Sequence, residues 1–168
     1  MNQVRVAVVG VGYLGAFHAE KAARMPGASL VACVDVDGVR AREIAGRHGC
    51  RAETDYAKII GDVDAVCLAV PTSKHHAIAR DLLVAGVDVL VEKPMAINLD
   101  ECDELIEIAE REGRILQVGH VERFNPAVIA VEGRIDAPLF IESHRLSPYR
   151  ERGTEVDVVL DLMIHDLD

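Results

Sequence analysis

Apolar positions along this chain follow two periods in turn. Short continuous runs rich in β-branched residues stand at 4–9, 29–36, 65–70, 88–91 and 115–118. Between them, apolar residues recur at helical spacing over 13–25, 38–48, 73–85 and 99–112. A strand covered on both faces reads as an unbroken apolar run, because neither face meets water, and Ala65-Val66-Cys67-Leu68-Ala69-Val70 is such a run. Strands and helices alternating in this way predict an α/β fold, a doubly wound parallel sheet with helices on both faces.

The punctuation agrees with the periods. Pro26-Gly27 stops the first helical segment, and Asn98 with Glu101 three residues later forms the pattern of a capping box ahead of the last one. From 121 onward the alternation breaks down. Asn125-Pro126 opens a short helical stretch, 139–146 reads as a strand, and 156–168 reads as a helix. The expected organisation is a first domain over 1–120 and, over 121–168, the truncated start of an α+β catalytic domain.

Composition narrows the partners. The net charge of -10 opposes a nucleic-acid surface, which needs Lys and Arg to neutralise phosphates. Cys33, Cys50, Cys67 and Cys102 show no C-x-x-C spacing, and Cys33 and Cys67 lie inside apolar runs, as small hydrophobes do. Together with an N-terminus that runs straight into a strand and no apolar run of about 18 residues, this places the expected protein in the cytoplasm with no membrane partner. No metal site is expected: His165, Asp166 and Asp168 occupy helix positions that point in different directions.

Gly10-Val11-Gly12-Tyr13-Leu14-Gly15 follows the first strand and opens the first helix, the context in which G-x-G-x-x-G marks a Rossmann dinucleotide site. Gly10 permits the tight turn, Gly12 the approach of a pyrophosphate, and Gly15 close packing of helix on strand. Asp35 lies at the end of the second strand, 20 residues after Gly15, placed to accept hydrogen bonds from ribose hydroxyls and to repel a 2'-phosphate. NAD is therefore expected over NADP, with Arg40 the one cation near enough to argue otherwise. FAD domains share this fingerprint.

Val89-Leu90-Val91-Glu92-Lys93-Pro94 sets a lysine just past the end of a strand, where open α/β sheets bind ligands. Taken alone, that spacing fits a solvated Lys beside a Glu at least as well as a catalytic group. Asp161 and His165, at i and i+4, share one helix face, which suits either two groups addressing one substrate atom or an ordinary polar pair.

Glu92-Lys93-Pro94, following a G-x-G-x-x-G strand, resembles the signature of the glucose-fructose oxidoreductase and inositol dehydrogenase family. Val70-Pro71-Thr72-Ser73-Lys74-His75 resembles that family's loop near the nicotinamide, Arg123-Phe124-Asn125-Pro126 its crossover into the second domain, and Asp161-Leu162-Met163-Ile164-His165 its D-x-G-x-H motif. The likeness spans essentially the whole chain. It implies that Lys93 hydrogen-bonds the reacting oxygen, that His165 is the general base and that Asp161 orients it. It also implies cofactor contacts from Tyr13, Leu14, Pro71, Thr72, His75, Glu92 and Lys93, and substrate contacts from His120, Arg123 and Asn125. The implied activity is NAD-dependent oxidation of a secondary hydroxyl on a sugar or nucleotide sugar, by a homo-oligomer when the chain is longer. The stretches 120–126 and 143–168 look most like the branch that acts on C3 of UDP-N-acetylglucosamine. Met163 departs from the pattern, standing where the family often has glycine. An inositol or free-sugar dehydrogenase is the rival reading, and a catalytically silent NAD-binding regulator is the rival of another class.

Other polar residues carry less. His76 reads as solvated and His144 as outward-facing on a strand. Arg145, Arg150 and Arg152 flank Ser147-Pro148-Tyr149, where a guanidinium pair could clasp a diphosphate, but a solvated loop is the default reading.

Overall fold

The computed structural model describes residues 3–132 together with 134, 137, 139–142, 144, 159, 163 and 164. The chain divides into two compact units, Met1–Val118 and Gly119–Asp168.

In the first unit each apolar run becomes a strand: β1 (Val4–Val9), β2 (Ala28–Val34), β4 (Ala65–Leu68), β5 (Asp88–Val91) and β6 (Leu116–Val118). The helical segments become α1 (Tyr13–Arg24), α2 (Gly38–His48), α3 (His75–Val84) and α4 (Leu99–Glu112). One strand escaped the reading of apolar runs. β3 (Arg51–Glu53) is three residues long and carries only Ala52 between two charges. It holds its place by pairing with β2, Cys33 opposite Ala52, and not by burying an apolar run.

All pairings are parallel, in the order β3-β2-β1-β4-β5-β6. Side chains of successive β1 residues feed opposite cores. Ala7 and Val9 join Leu82 and Leu83 of α3 and Leu105 and Ile108 of α4, whereas Val8 packs with Ala19 of α1 and Ile44 of α2. Both faces are thus dry, which is why the strands lack polar alternation. Leu82, Leu83 and Leu105 are wholly buried, and truncating any of them to Ala should cost about 2–5 kcal/mol.

Local chemistry sets the helix ends. The Asn98 side chain accepts from the Glu101 N–H at 2.8 Å, half of the expected box, while the Glu101 carboxylate reaches the Ile97 N–H at 3.4 Å instead of that of Asn98. Asp37 caps α2 by accepting from Val39 and Arg40, and Gly49 closes that helix at φ 69°.

Within the second unit, a helical turn at Val121–Phe124 precedes α5 (Pro126–Glu132). The strand expected over 139–146 is corrected as far as it is described: residues 139–142 and 144 lie in no strand, and Leu139, Phe140 and Ile141 are exposed. A strand draws its stability from a neighbour, and the described residues of this unit supply none. In the stretch expected as a helix over 156–168, the described residues 159, 163 and 164 are helical.

Candidate functional site

Strand order reverses between β1 and β4, and in open α/β sheets ligands bind beyond the carboxyl ends of the strands at that switch point. Three glycines there meet three different demands. Gly10 turns at φ 84°, and a Cβ on it would stand 2.6 Å from the carbonyl oxygen of Ala69. A Cβ on Gly15 would come within 1.7 Å of the Gly10 oxygen, so α1 can approach the turn only if position 15 is bare. Gly12 is different, because a Cβ there would meet no protein atom within 4 Å. Its bareness answers no internal packing need and leaves open space over the backbone. Gly12 is also the N-cap of α1, with no side-chain cap and no acid in the first turn. The positive end of the α1 dipole is thus not met by a capping side chain or a first-turn acid, which fits a dinucleotide pyrophosphate.

Asp35 is 7% exposed. Its Oδ2 accepts from the Val11 N–H at 3.0 Å and its Oδ1 from the Asp37 N–H at 2.9 Å. Arg40 Nη1 lies 3.4 Å from both oxygens, and Arg40 Nη2 lies 3.5 Å from Asp37. Arg40 is thus held among carboxylates. Tyr13 is exposed and packs edge-on against Phe17 at 5.3 Å between ring centroids, and Leu14 is half exposed at the same helix start.

The loops after β4 and β5 complete the wall. Pro71 is exposed, Thr72 is buried, and Lys93-Pro94 is a cis peptide at the end of β5. His75, expected to touch the cofactor, is 1% exposed. Its Nδ1 lies 2.9 Å from the Pro94 oxygen and its Nε2 2.8 Å from the Val70 oxygen. Each ring nitrogen faces a backbone carbonyl, to one of which a neutral imidazole donates, so His75 bridges the two loops. Glu92 likewise turns to protein: Oε1 meets His18 Nε2, from α1, at 2.7 Å. Burial raises the Glu92 carboxyl, but the hydrogen bond and charge of His18 and the N–H and charge of Lys93 outweigh it, and the net shift is downward. The His18 imidazole is pushed up to about 9 by its hydrogen bonds to Cys67 and Glu92, against a smaller cost of burial. Nothing in the sequence singled out His18, whose spacing from Glu92 is 74 residues.

His76, expected to be solvated, bridges α3 to Glu104 of α4 at 2.9 Å. In the second unit, Asn125 accepts from the Ala127 N–H at 2.9 Å and donates to Glu122 at 2.9 Å, so its side chain caps α5. His120 is half-buried and Arg123 exposed. Asp161 and His165 lie outside the described residues, as do Arg145, Arg150 and Arg152. Among the described residues no group of His, Cys, Asp and Glu could hold a metal ion, and no helix is long and apolar enough to cross a membrane.

Comparison with known proteins extends this geometry. The chain is 40% identical over 169 residues to the UDP-N-acetylglucosamine 3-dehydrogenase of Acidithiobacillus ferrooxidans, covering 100% of this chain and 53% of that protein. It is 35% identical over 178 residues to inositol 2-dehydrogenase 4 of Saccharopolyspora erythraea, covering 99% and 53%. The chain therefore spans about half the length of the curated relatives it matches. Among solved structures, the Acidithiobacillus ferrooxidans enzyme superposes with a TM-score of 0.91 at 39% identity, over 99% of this chain and 55% of that one. GenD2 from gentamicin A biosynthesis, solved in complex with NAD, superposes with a TM-score of 0.78 at 31% identity, over 80% of this chain and 39% of that one. Residues 4–120 match the oxidoreductase family with an NAD-binding Rossmann fold, and this chain belongs to that family.

Proposed function

We propose that this chain is the cofactor-binding part of an NAD-dependent dehydrogenase that oxidises a secondary hydroxyl of a nucleotide sugar, at C3 of UDP-N-acetylglucosamine. The observation that carries the reading is the 40% identity to the UDP-N-acetylglucosamine 3-dehydrogenase along all of this chain, including the residues beyond the cofactor unit. The second unit is read as the start of the substrate domain.

Gly10, Gly12 and Gly15 seat the pyrophosphate on the N-terminus of α1, and Asp35 takes the adenosine ribose hydroxyls. NAD, when bound, supplies the hydride acceptor. Lys93, just past the end of β5, is the group that would hydrogen-bond the reacting oxygen and stabilise developing alkoxide charge. His165 takes the hydroxyl proton, a task suited to imidazole near neutral pH, and Asp161, one turn earlier, orients it. His120 and Arg123 are the candidates for holding the sugar; Asn125, with its side chain on α5, would have to give up that cap to take part. The free cysteines fit the reducing cytoplasm, and a homo-oligomer is the proposed assembly.

Full-length protein tests the reading directly. NADH should form with UDP-N-acetylglucosamine and not with free N-acetylglucosamine or inositols. The inositol dehydrogenase reading, favoured by the 35% identity to inositol 2-dehydrogenase 4, takes its place if myo- or scyllo-inositol reduces NAD instead.

A further inference from the structure

Glu92 sits at the centre of a chain of contacts that joins the cofactor helix to the catalytic lysine. Val91 of β5 pairs with Leu68 of β4, and Leu68 with Val9 of β1, so Glu92 lies level with Gly10 across the switch point. Its backbone N–H donates to the Leu68 oxygen at 2.9 Å, which fixes the main chain. Its carboxylate then meets two groups: His18 Nε2 from the second turn of α1 at 2.7 Å, and the backbone N–H of Lys93. The side chains of His18 and Glu92 are only 24% and 16% exposed. A charge-assisted bond in such a setting is shorter and stronger than one on the surface, and holds its partners in one geometry. The groups facing His18 are the Glu92 carboxylate and the Cys67 thiol, and the charge facing Glu92 from its other side is Lys93.

We propose that His18 is a positioning residue for hydride transfer: through the Glu92 carboxylate it fixes the Lys93 backbone, and so the reach of the Lys93 ammonium, against the helix that seats the cofactor. The inference rests on the reading of Lys93 as the group that addresses the reacting oxygen. A plain structural ion pair would stabilise the fold without touching turnover. A strut between α1 and Lys93 affects the chemical step in particular, because an error of about 1 Å there costs on the order of a hundredfold in rate.

The test uses the full-length enzyme with His18→Ala, His18→Gln, Glu92→Gln and the His18→Ala/Glu92→Gln double variant. Each is measured for kcat, sugar KM, NAD affinity and the amide resonance of Lys93. His18→Ala and Glu92→Gln should each lower kcat by roughly tenfold to a hundredfold, with NAD affinity and KM moving by less than about threefold. The double variant should be no slower than the slower single one, since both break one strut. His18→Gln keeps an N–H donor for the carboxylate and should recover part of the loss. The Lys93 amide proton should move upfield and exchange faster in His18→Ala. Losses that multiply in the double variant, or an unchanged Lys93 amide, overturn the proposal. If the unmutated enzyme oxidises no sugar, the dehydrogenase reading falls by itself, and the Lys93 amide still decides whether His18 acts on that residue. Should His18→Ala not fold, the Lys93 amide of His18→Gln decides: a shift of that signal supports the strut and its absence overturns it.

Discussion

The Asp35 carboxylate accepts the Val11 N–H at 3.0 Å, so the acid that ends β2 and the glycine turn that ends β1 form one hydrogen-bonded unit. Two backbone N–H groups hold this acid in one place, and in the proposed reading it takes the adenosine ribose hydroxyls and its charge opposes a 2'-phosphate.

Replacing Asp35 with Ala should therefore weaken NAD by roughly tenfold to a hundredfold, the worth of hydrogen bonds to a charged group. NADP should lose far less. Calorimetry on both cofactors checks the ratio, and equal affinities in the unmutated protein would remove Asp35 from this role.

Gly12 and Gly15 should fail in different ways. Gly15→Ala puts a Cβ 1.7 Å from the Gly10 oxygen and should lower the melting temperature sharply. Gly12→Ala meets no protein atom within 4 Å, so its melting temperature should hold while NAD affinity falls, because the added methyl fills the pyrophosphate cradle. Equal effects of the two variants on melting would contradict the assignment of Gly12.

In the full-length enzyme, Lys93→Ala should lower kcat by roughly a hundredfold or more with NAD affinity nearly intact, as expected when a group acts on charge that develops only in the transition state. His165→Ala should behave alike, and the loss should show in single-turnover NADH formation. Near-normal turnover in either variant withdraws that residue from the chemistry.

The hydrogen bonds of His18 to Cys67 and to Glu92 should make stability depend on pH in a defined window. The His18 imidazole is raised in the folded state from 6.5 to about 9, so its contribution is complete below 6.5 and is lost as pH rises through about 9. Glu92 is lowered from 4.5, so its contribution is present above 4.5 and is lost as pH falls through its folded value. Denaturation of the unmutated protein and of His18→Gln should differ most between about pH 4.5 and 6.5 and converge by pH 9 or above. A difference that stays flat from pH 6 to 10 would deny the pair its charge.

The sequence by itself determined the architecture, because parallel strands buried on both faces must be continuous apolar runs and the helices that cover them must be amphipathic. The place of Gly10-Val11-Gly12-Tyr13-Leu14-Gly15 between β1 and α1 and that of Asp35 at the end of β2 were legible for a similar reason: both depend on local backbone geometry at known spacing from a strand. β3 was hidden, since Arg51–Glu53 is held by hydrogen bonds to β2 and has no apolar pattern of its own. Only the tertiary structure decided what His75 and His18 do. The helical period places His75 at the start of α3, but its burial and its bonds to Val70 and Pro94 exist only once the β4 and β5 loops lie side by side. His18 meets Glu92 across 74 residues, a contact made by the order of strands in the sheet and therefore absent from any local pattern. Spacing along the chain records what the backbone does within a few residues, and pairing between distant side chains is settled by how the layers pack.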